Sequence, residues 1–353
     1  MWETYAVPEL IAIGSAYAAV HIPFRNPHSQ FMFKEVIPLK ILGTGSALPK
    51  KVVTNDDLAG FLETNDEWIS TRTGIRERRV LSDDTLQSLA ERAGKAAMEN
   101  AGVSPEDIDC VLVSTVQAET MSPALACDIQ PALGLKCMGM DINGGCTGFI
   151  AALAVAEGLI ASGRAHRLLV ISAEAMTRIA DWTDRGTCVL FGDAAGAAVV
   201  GEGEGVEDIR FASEPRREVL CASTPPGNSP FAIDPAPAQY LKMQGQEVYR
   251  FAVSHSFRDI RDMLAAHNLA PEDVDFYALH QANMRILEAV RTRLKVDAER
   301  FPHNIERTGN TSSATIPVLL DELNRAGKLK PGCRVILSAF GAGLCTGTAL
   351  IKW

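Results

Sequence analysis

From residue 38 onward, short runs of Val, Ile and Leu alternate with longer stretches in which apolar residues recur every three or four positions. Short continuous apolar runs are typical of buried strands, whereas the longer spacing is typical of amphipathic helices. The predicted strands are 38–43, 110–115, 167–172, 196–200, 276–280, 334–339 and 348–352, and the predicted helices include 86–101, 149–162 and 246–268. Their alternation along the chain predicts an α/β protein whose sheets are covered by helices.

Two short motifs occur twice in the chain. The sequence SPEDID at 104–109 precedes one predicted strand, and APEDVD at 270–275 precedes another. The strand sequence RLLVISA at 167–173 likewise recurs as RVILSA at 334–339. Both pairs are about 166 residues apart, and repeats at a common spacing indicate duplicated structural units. The chain is therefore predicted to contain two homologous α/β halves whose strands pack as facing layers.

The duplication pairs two predicted helix starts. Residues 144–148, GGCTG, precede the helix in the first half, and residues 309–313, GNTSS, precede a helix in the second half. Cys146 and Asn310 lie in these segments and therefore occupy matching positions. We expect an active site where the two helix starts meet, between the halves.

Cys146 differs from the other seven cysteines because it lies between glycines at a predicted helix start. Unpaired backbone N–H groups and the helix dipole at such a position favour the thiolate form of cysteine. The cysteines form no CxxC pair and no close ligand spacing of the kind that builds a zinc site, so we expect no metal. Cys146 is the candidate nucleophile, and a buried small residue in a tight turn is the alternative interpretation.

His280 ends a predicted strand and begins the polar sequence HQANMR. Ligands of α/β proteins bind at the carboxyl ends of strands. Asn283 and Asn310 stand at similar ends, so we interpret His280 as part of the active site rather than as a structural histidine.

Two other motifs are assigned structural roles. The sequence GTGSAL at 43–48 follows a strand, but Leu48 stands where a dinucleotide-binding fingerprint has its third glycine and Pro49 disfavours a following helix. Asp193, in the sequence FGDAAG, is predicted to form a turn before a strand.

Residues 1–37 differ from the two halves, which we place at 38–206 and 207–353. The apolar stretch at 10–20 is about half of the roughly 20 residues that span a bilayer, and two glutamates stand where a signal peptide carries positive charge. Neither export nor membrane anchoring is therefore predicted. An extension from an upstream start codon and a short appendage that packs on the fold both remain open.

The net charge bears on which partners the protein can bind, and the cysteines bear on its cellular location. The chain has 34 Lys and Arg against 43 Asp and Glu, a formal net charge of −9, which disfavours binding to nucleic acid. Scattered single cysteines without a secretion signal are typical of reduced thiols, so we predict a cytoplasmic location.

Several motifs together resemble β-ketoacyl-acyl-carrier-protein synthase III, a family of thiolase-fold condensing enzymes, over almost all of 38–353. They are DEWISTRTGIR at 66–76, DRG at 184–186 with FGD at 191–193, HQAN at 280–283 and GNTS at 309–312. The resemblance implies a homodimer, a five-layer αβαβα fold and a catalytic triad at Cys146, His280 and Asn310. This triad coincides with the site expected from the duplication.

The resemblance implies a two-step reaction that initiates fatty acid synthesis without a metal, nucleotide or redox cofactor. Cys146 would take an acyl group from a coenzyme A thioester. Malonyl-acyl carrier protein would then lose carbon dioxide, and the His280 Nε2–H and the Asn310 amide would stabilise the enolate oxygen. The carbanion would attack the acyl carbonyl, whose oxyanion would face the backbone N–H groups of Cys146 and Ala342. The product would be a 3-oxoacyl-acyl carrier protein.

The resemblance also implies the substrate contacts. Trp68 would stack on the adenine of coenzyme A, and Arg72 would bind it through charge. Less specific matches to the coenzyme A pocket are Thr64, Arg185, Met243, Gly245 and Asn283. Arg250 and Arg285 are expected at the mouth of the site, where the acidic acyl carrier protein would bind, although solvated surface arginines are the alternative interpretation.

One departure from the family pattern concerns the acyl chain. Ser122 stands where acetyl-specific members carry a Phe that closes the acyl pocket of the partner subunit. The channel lined by Met121, Ser122 and Leu125 of the partner would then extend beyond an acetyl group. The sequence therefore predicts that the enzyme accepts medium-chain primers.

Three alternatives to a fatty acid synthase remain open at the level of sequence. Cys146, His280 and Asn310 follow the chain order of papain-like hydrolases with a comparable spacing. A related condensing enzyme or acyltransferase of secondary metabolism would share the motifs, and an acyl-binding module would result if the thiol never became acylated.

Overall fold

Residues 38–223 and 240–353 are described by a computed structural model, so the two interpretations of residues 1–37 lie outside the described residues. In chain order the elements are β1 (Leu39–Ala47), β2 (Lys51–Thr54), α1 (Asn55–Ala59), α2 (Asp66–Thr73), β3 (Glu77–Val80), α3 (Leu86–Ala101), β4 (Cys110–Ser114), α4 (Leu125–Asp128), α5 (Gln130–Leu133), β5 (Met138–Ile142), α6 (Gly148–Ala161), β6 (Arg167–Ala175), β7 (Asp193–Glu202), β8 (Val206–Ser213), β9 (Leu220–Cys221), β10 (Lys242–Met243), α7 (Gly245–Ala266), β11 (Phe276–Leu279), α8 (Met284–Leu294), α9 (Ile305–Thr308), α10 (Thr315–Arg325), β12 (Arg334–Gly341) and β13 (Cys345–Lys352).

Two mixed sheets form the framework. The first has the order β1-β7-β6-β4-β5, and the second has the order β11-β12-β13-β8. In the first sheet β4 and β6 are parallel, while β6, β7 and β1 follow one another antiparallel. In the second sheet β11 and β12 are parallel, while β12, β13 and β8 follow one another antiparallel. The two sheets therefore share one strand pattern, and β5 extends it in the first sheet.

Helices cover both faces of each sheet. Apolar residues of α6 and α10 pack between the two sheets and form one continuous core with them. Helix α3 covers the outer face of the first sheet, and α7 and α8 cover the outer face of the second. The five layers run helix, sheet, helix, sheet, helix, and the predicted αβαβα fold is confirmed.

Local sequence explains helix α3, whose predicted bounds match the observed ones. The Thr85 side chain accepts a hydrogen bond from the backbone N–H of Ser88, which caps the helix N-terminus. The helix ends at Gly102, whose φ of 66° lies in the left-handed region that favours glycine. Strands β5 and β8 were missed, because neither contains a continuous buried apolar run.

The two motifs assigned structural roles differ in detail from their predictions. The GTGSAL motif lies largely inside β1. A Cβ atom on Gly43 or Gly45 would overlap the backbone of α3, so these glycines allow the helix to approach the strand. The predicted turn at Asp193 was wrong, because Asp193 begins β7 and is fully buried. Its carboxylate accepts hydrogen bonds from Thr177 and from the backbone N–H of Leu81.

Candidate active site

Cys146 lies in a short 3-10 turn, residues Gly145–Thr147, that leads directly into α6. Gly145 has a φ of 52°, a conformation that costs glycine little and other residues more. A Cβ atom on Gly148 would overlap the Ser114 hydroxyl, so this glycine lets the helix start approach β4. The glycines around the cysteine thus set the backbone that presents its sulfur.

The resting state of Cys146 differs from the sequence-based expectation of a thiolate. Burial raises the pKa of the Cys146 thiol to about 12, although a hydrogen bond from the Ser312 hydroxyl, 3.5 Å from Sγ, opposes the shift. The cost of removing a thiolate from water exceeds what a helix terminus returns. The raised pKa favours the thiol form of the half-buried Cys146 before substrate binds, and its proton has to leave when the sulfur takes the acyl group.

His280 follows β11 directly and is 1% exposed. Its backbone N–H donates to the Ser338 carbonyl on β12 at 2.8 Å, and its ring meets Phe340 edge-on at 5.3 Å between centroids. Burial lowers the pKa of His280 to about 3, so the imidazole is neutral at physiological pH.

The Thr315 hydroxyl is the hydrogen-bond partner of the His280 ring at Nδ1. Its Oγ1 lies 2.8 Å from His280 Nδ1 and 3.0 Å from the Ser312 carbonyl oxygen. A hydroxyl has one hydrogen. While Thr315 donates to the Ser312 carbonyl, the neutral ring carries its proton on Nδ1 and donates it to Thr315; an Nε2–H donor requires the Thr315 hydrogen to turn from that carbonyl to Nδ1.

Asn310 is held by backbone hydrogen bonds on both sides. Its N–H donates to the Leu190 carbonyl at 2.8 Å, and its carbonyl accepts from the N–H of Gly192 at 3.1 Å. Its side-chain Oδ1 accepts from the N–H of Ser312 at 2.8 Å, which leaves Nδ2 as the donor of the amide.

One cavity of about 1270 Å³ joins these groups. Cys146, His280 and Asn310 line it together with Ala342, so the structure brings these four candidate residues to one cavity. A Cβ atom on Gly341 would lie 3.0 Å from the backbone N of Cys146, so the loop after β12 runs against the nucleophile turn.

The cavity is lined by arginines in a chain of net negative charge. Arg72, Arg185, Arg217, Arg250 and Arg285 line it, and no Asp or Glu does among the described residues. The guanidinium carbons of Arg72 and Arg185 lie 4.6 and 5.1 Å from the centroid of the Trp68 ring, within cation-π distance. The site therefore suits an anionic substrate.

Most predicted binding residues share this cavity. Trp68, Met243, Gly245 and Asn283 line it, in addition to four of the five arginines. Thr64 is not among the described lining residues, and the structure gives no support for a contact between Thr64 and coenzyme A.

The residues predicted to reach the partner subunit divide into two groups. Met121 is 97% exposed and Ser122 is also exposed. The prediction for Leu125 was wrong, because Leu125 begins α4 and is 1% exposed, packed into the core between the first sheet and α3. Its side chain is therefore unable to line a channel in another chain.

Sequence reasoning missed four residues of the site. Arg217 lines the cavity without a recognisable motif. Ser312 contacts Cys146, and Thr315 contacts His280. Ser312 is the last residue of the GNTS motif and Thr315 lies three residues after it, so closeness to this motif is the signal that could have found them. Glu174 is fully buried and accepts a hydrogen bond from the Ser312 hydroxyl. It lies within an otherwise apolar strand, so no motif in the sequence marks it.

Comparisons with known proteins agree with this geometry. Residues 140–215 match the family described as 3-oxoacyl-[acyl-carrier-protein (ACP)] synthase III, and residues 264–353 match its C-terminal family. The beta-ketoacyl-[acyl-carrier-protein] synthase III of Clostridium acetobutylicum is 38% identical over 321 residues, which is 89% of this chain and 98% of the relative. The chain belongs to the β-ketoacyl-acyl-carrier-protein synthase III family. Members of this family are condensing acyltransferases of the thiolase fold.

Two solved structures extend the comparison within the synthase III fold. The 3-oxoacyl-[acyl-carrier-protein] synthase III from Aquifex aeolicus VF5 is 39% identical with a TM-score of 0.83, covering 89% of this chain and 100% of that chain. The priming β-ketosynthase from the R1128 polyketide biosynthetic pathway is 35% identical with a TM-score of 0.84, covering 89% and 96%. Family membership at this level contradicts the papain-like hydrolase alternative.

Two features are absent from the residues that the structure describes: a membrane-spanning helix and a cluster of metal-binding side chains. None of the helices in 38–223 and 240–353 is long and apolar enough to cross a bilayer. Within the same ranges, no group of three or more His, Cys, Asp or Glu side chains is arranged to hold a metal ion.

Proposed function

We propose that this chain condenses an acyl-coenzyme A primer with malonyl-acyl carrier protein through Cys146, His280 and Asn310, and forms a 3-oxoacyl-acyl carrier protein that initiates fatty acid synthesis. The observation that carries the proposal is the meeting of these three side chains in one arginine-lined cavity. A nucleophile, two neutral donors and a cationic wall are the groups that this chemistry requires.

In the first step the Cys146 sulfur attacks the thioester carbonyl of the primer. The oxyanion that forms would face the backbone N–H groups of Cys146 and Ala342, two residues that line the cavity. Coenzyme A leaves, and the acyl group remains on the sulfur as a thioester of similar energy. This exchange conserves the energy needed for the later carbon–carbon bond.

In the second step the malonyl group loses carbon dioxide, and negative charge moves to its thioester oxygen. The neutral His280 ring donates to this oxygen through Nε2–H once the Thr315 hydroxyl turns from the Ser312 carbonyl and donates to Nδ1. Asn310 donates through Nδ2 because its Oδ1 is engaged by Ser312. Preorganised neutral donors stabilise the enolate more than its neutral precursor, which lowers the barrier to decarboxylation.

The arginines support the proposed contacts with coenzyme A and acyl carrier protein. Trp68, flanked by Arg72 and Arg185, offers an aromatic face and positive charge to an adenine nucleotide. Arg250 has 72% of its side chain exposed and lines the cavity with Arg285, so both are placed to meet an acidic carrier at the entrance.

We propose that residues 38–206 and 207–353 are duplicated halves. The motifs PEDID and PEDVD both form a 3-10 turn and then lead to a parallel strand, β4 or β11. Short 3-10 turns also precede α6 and α10 at matching places in the two halves. The common strand pattern of the two sheets supports the same division.

A homodimer is proposed from the edge of the first sheet. Strand β5 ends the described sheet, and Met138 on this strand is 49% exposed, near Met121 in sequence. An exposed edge strand with apolar side chains is a template for pairing with another chain. Pairing of two β5 strands would bury this surface and bring the 121–122 loop towards the partner.

A cytoplasmic location stays a prediction, supported by eight cysteines that are all unpaired.

The primer prediction rests on this dimer, with Met121 and Ser122 as the residues that reach the partner. Wild-type enzyme is expected to accept medium-chain acyl-coenzyme A at least as well as acetyl-coenzyme A, since each buried CH₂ contributes up to about 0.8 kcal/mol. Ser122→Phe should shift the preference towards acetyl, while the matched control Ser122→Ala should keep the wild-type order. Acylation rates for primers of two to ten carbons measure this, and a steep fall after acetyl in the wild type would contradict it.

Intact-mass measurement after mixing with acyl-coenzyme A tests the proposed function. One acyl group per chain is expected on Cys146, and addition of malonyl-acyl carrier protein should convert it to a 3-oxoacyl-acyl carrier protein. Absence of an adduct would instead favour an acyl-binding module. The likeness to a polyketide priming enzyme makes secondary metabolism the second candidate, and a preference for a polyketide carrier protein over the fatty acid carrier would favour it.

A further inference from the structure

Glu174 lies on β6 behind the wall of the active-site cavity and is fully buried. Its Oε1 accepts hydrogen bonds from the hydroxyls of Ser312 at 3.1 Å and Ser313 at 2.5 Å. Its Oε2 accepts from the backbone N–H of Val116 at 3.0 Å. Burying a carboxyl group costs folding free energy unless the group is hydrogen-bonded, and such groups are common at functional sites. Among the hydrogen-bond partners of Glu174, Ser312 is the one that also contacts the Cys146 sulfur.

Ser312 bridges the nucleophile and the carboxyl. Its Oγ lies 3.5 Å from Cys146 Sγ and 3.1 Å from Glu174 Oε1. The hydroxyl is within donor distance of both groups but has one hydrogen, so it donates to one of them at a time; while it donates to Glu174, its oxygen lone pairs can accept the proton of the Cys146 thiol. Ser312 has a φ of 52°, a left-handed conformation that glycine adopts more easily, so the hydroxyl is held there at a conformational cost.

We propose that Ser312 and Glu174 form a proton relay that removes the Cys146 thiol proton during acyl transfer. The inference rests on the proposed condensing function and assigns a path for a proton that this function leaves without a base. Ser312 contacts the reacting sulfur, and Glu174 acts through Ser312 as a positioning and proton-holding residue.

Atoms and charge are conserved in the relay. The sulfur electron pair forms the new bond to the primer carbonyl carbon while the thiol proton moves to Ser312 Oγ. The Ser312 proton moves at the same time to Glu174 Oε1. When the bond between the carbonyl carbon and the coenzyme A sulfur breaks, the coenzyme A sulfur keeps the electron pair, and Glu174 gives its proton back through Ser312 to that sulfur. The net products are acyl-Cys146 and coenzyme A, with Glu174 again ionised.

The electrostatics of Glu174 fit a base that works near neutral pH. Burial raises its pKa to about 7, while the Ser313, Val116 and Ser312 donors oppose the shift. Ala194 lies opposite it on β7, and Cys146 is the titratable group that faces it across Ser312 in the described part of the chain. By contrast, burial lowers the pKa of His280 to about 3, which makes that imidazole a poor proton acceptor.

Matched serine variants test the relay. Ser312→Ala and Ser312→Gly both remove the hydroxyl, and the glycine also relieves the left-handed backbone, so equal losses identify the hydroxyl as the cause. Single-turnover acylation of Cys146 at pH 8 is expected to fall about 100-fold in both, the scale of general base catalysis. Decarboxylation of malonyl-acyl carrier protein should persist and shows that the variants are folded.

The pH profile separates a relay from a structural role. The wild-type acylation rate should rise with pH and level off above about 7, because Glu174 must be ionised to accept the proton. Glu174→Gln and the Ser312 variants should lose this inflection and rise continuously towards the thiol pKa. Ser313→Ala removes a donor that lowers the pKa of Glu174, so it should move the inflection to higher pH and keep the plateau rate.

Two outcomes would overturn the relay. Ser312 variants that acylate within about twofold of Ser313→Ala, or that retain the inflection, would show that the proton leaves by another path. Failure of the proposed function looks different, because the wild-type chain would then form no Cys146 adduct with acyl-coenzyme A.

Discussion

Cys146→Ala is expected to abolish acyl transfer and condensation. Cys146 is the cysteine in the turn that leads into α6, and no other side chain in the described chain occupies that position. The loss should be complete because the acyl intermediate forms on the sulfur itself. Radiolabelled acyl-coenzyme A followed by intact-mass analysis should show an adduct on wild type and none on the variant.

The control for Cys146→Ala is the double variant Cys221→Ala with Cys345→Ala. Both of these cysteines also line the cavity, so they are the thiols best placed to take the acyl group instead. The double variant should retain one acyl group per chain. Label retained by Cys146→Ala and lost by the double variant would remove Cys146 from the nucleophile role. Decarboxylation of malonyl-acyl carrier protein should survive in Cys146→Ala, because His280 and Asn310 remain.

His280→Ala and Asn310→Ala are expected to act on the other half of the reaction. Loss of one donor to the enolate should raise the barrier to decarboxylation by about 3 kcal/mol, which is more than 100-fold in rate. Acylation of Cys146 should survive at least in part, because the relay and the backbone oxyanion donors remain. Release of labelled carbon dioxide from malonyl-acyl carrier protein measures the first effect, and single-turnover acylation measures the second.

Asn310→Asp provides a near-isosteric comparison for the amide. An ionised carboxylate would replace a donor by a negative charge beside the developing enolate, so decarboxylation should fall at least as far as in Asn310→Ala. Equal loss of acylation and decarboxylation in the alanine variants would contradict the division of roles. If both donors bind one oxygen, the combined variant His280→Ala with Asn310→Ala should lose less decarboxylation activity, in free energy, than the sum of the two single losses.

Local sequence predicted the architecture and indicated the candidate catalytic residues. The alternation of apolar runs and amphipathic stretches predicted the α/β fold. Burial of one face gives each strand or helix its own spacing of apolar residues, whichever elements surround it. The helix α3 and the strand β4 were placed almost to the residue for this reason. Internal repeats placed Cys146 opposite Asn310, and both line one cavity in the structure.

Tertiary structure decided how these residues are able to react. The thiol state of Cys146 and the neutral ring of His280 follow from burial, which depends on elements far apart in the chain. Glu174 reaches Ser312 across 138 residues, so no local pattern marks the pair. Long-range packing also places the Leu125 side chain in the core and leaves β5 at the edge of its sheet. Desolvation and hydrogen-bond partners arise from long-range packing, whereas motifs and periodicity record only neighbours along the chain.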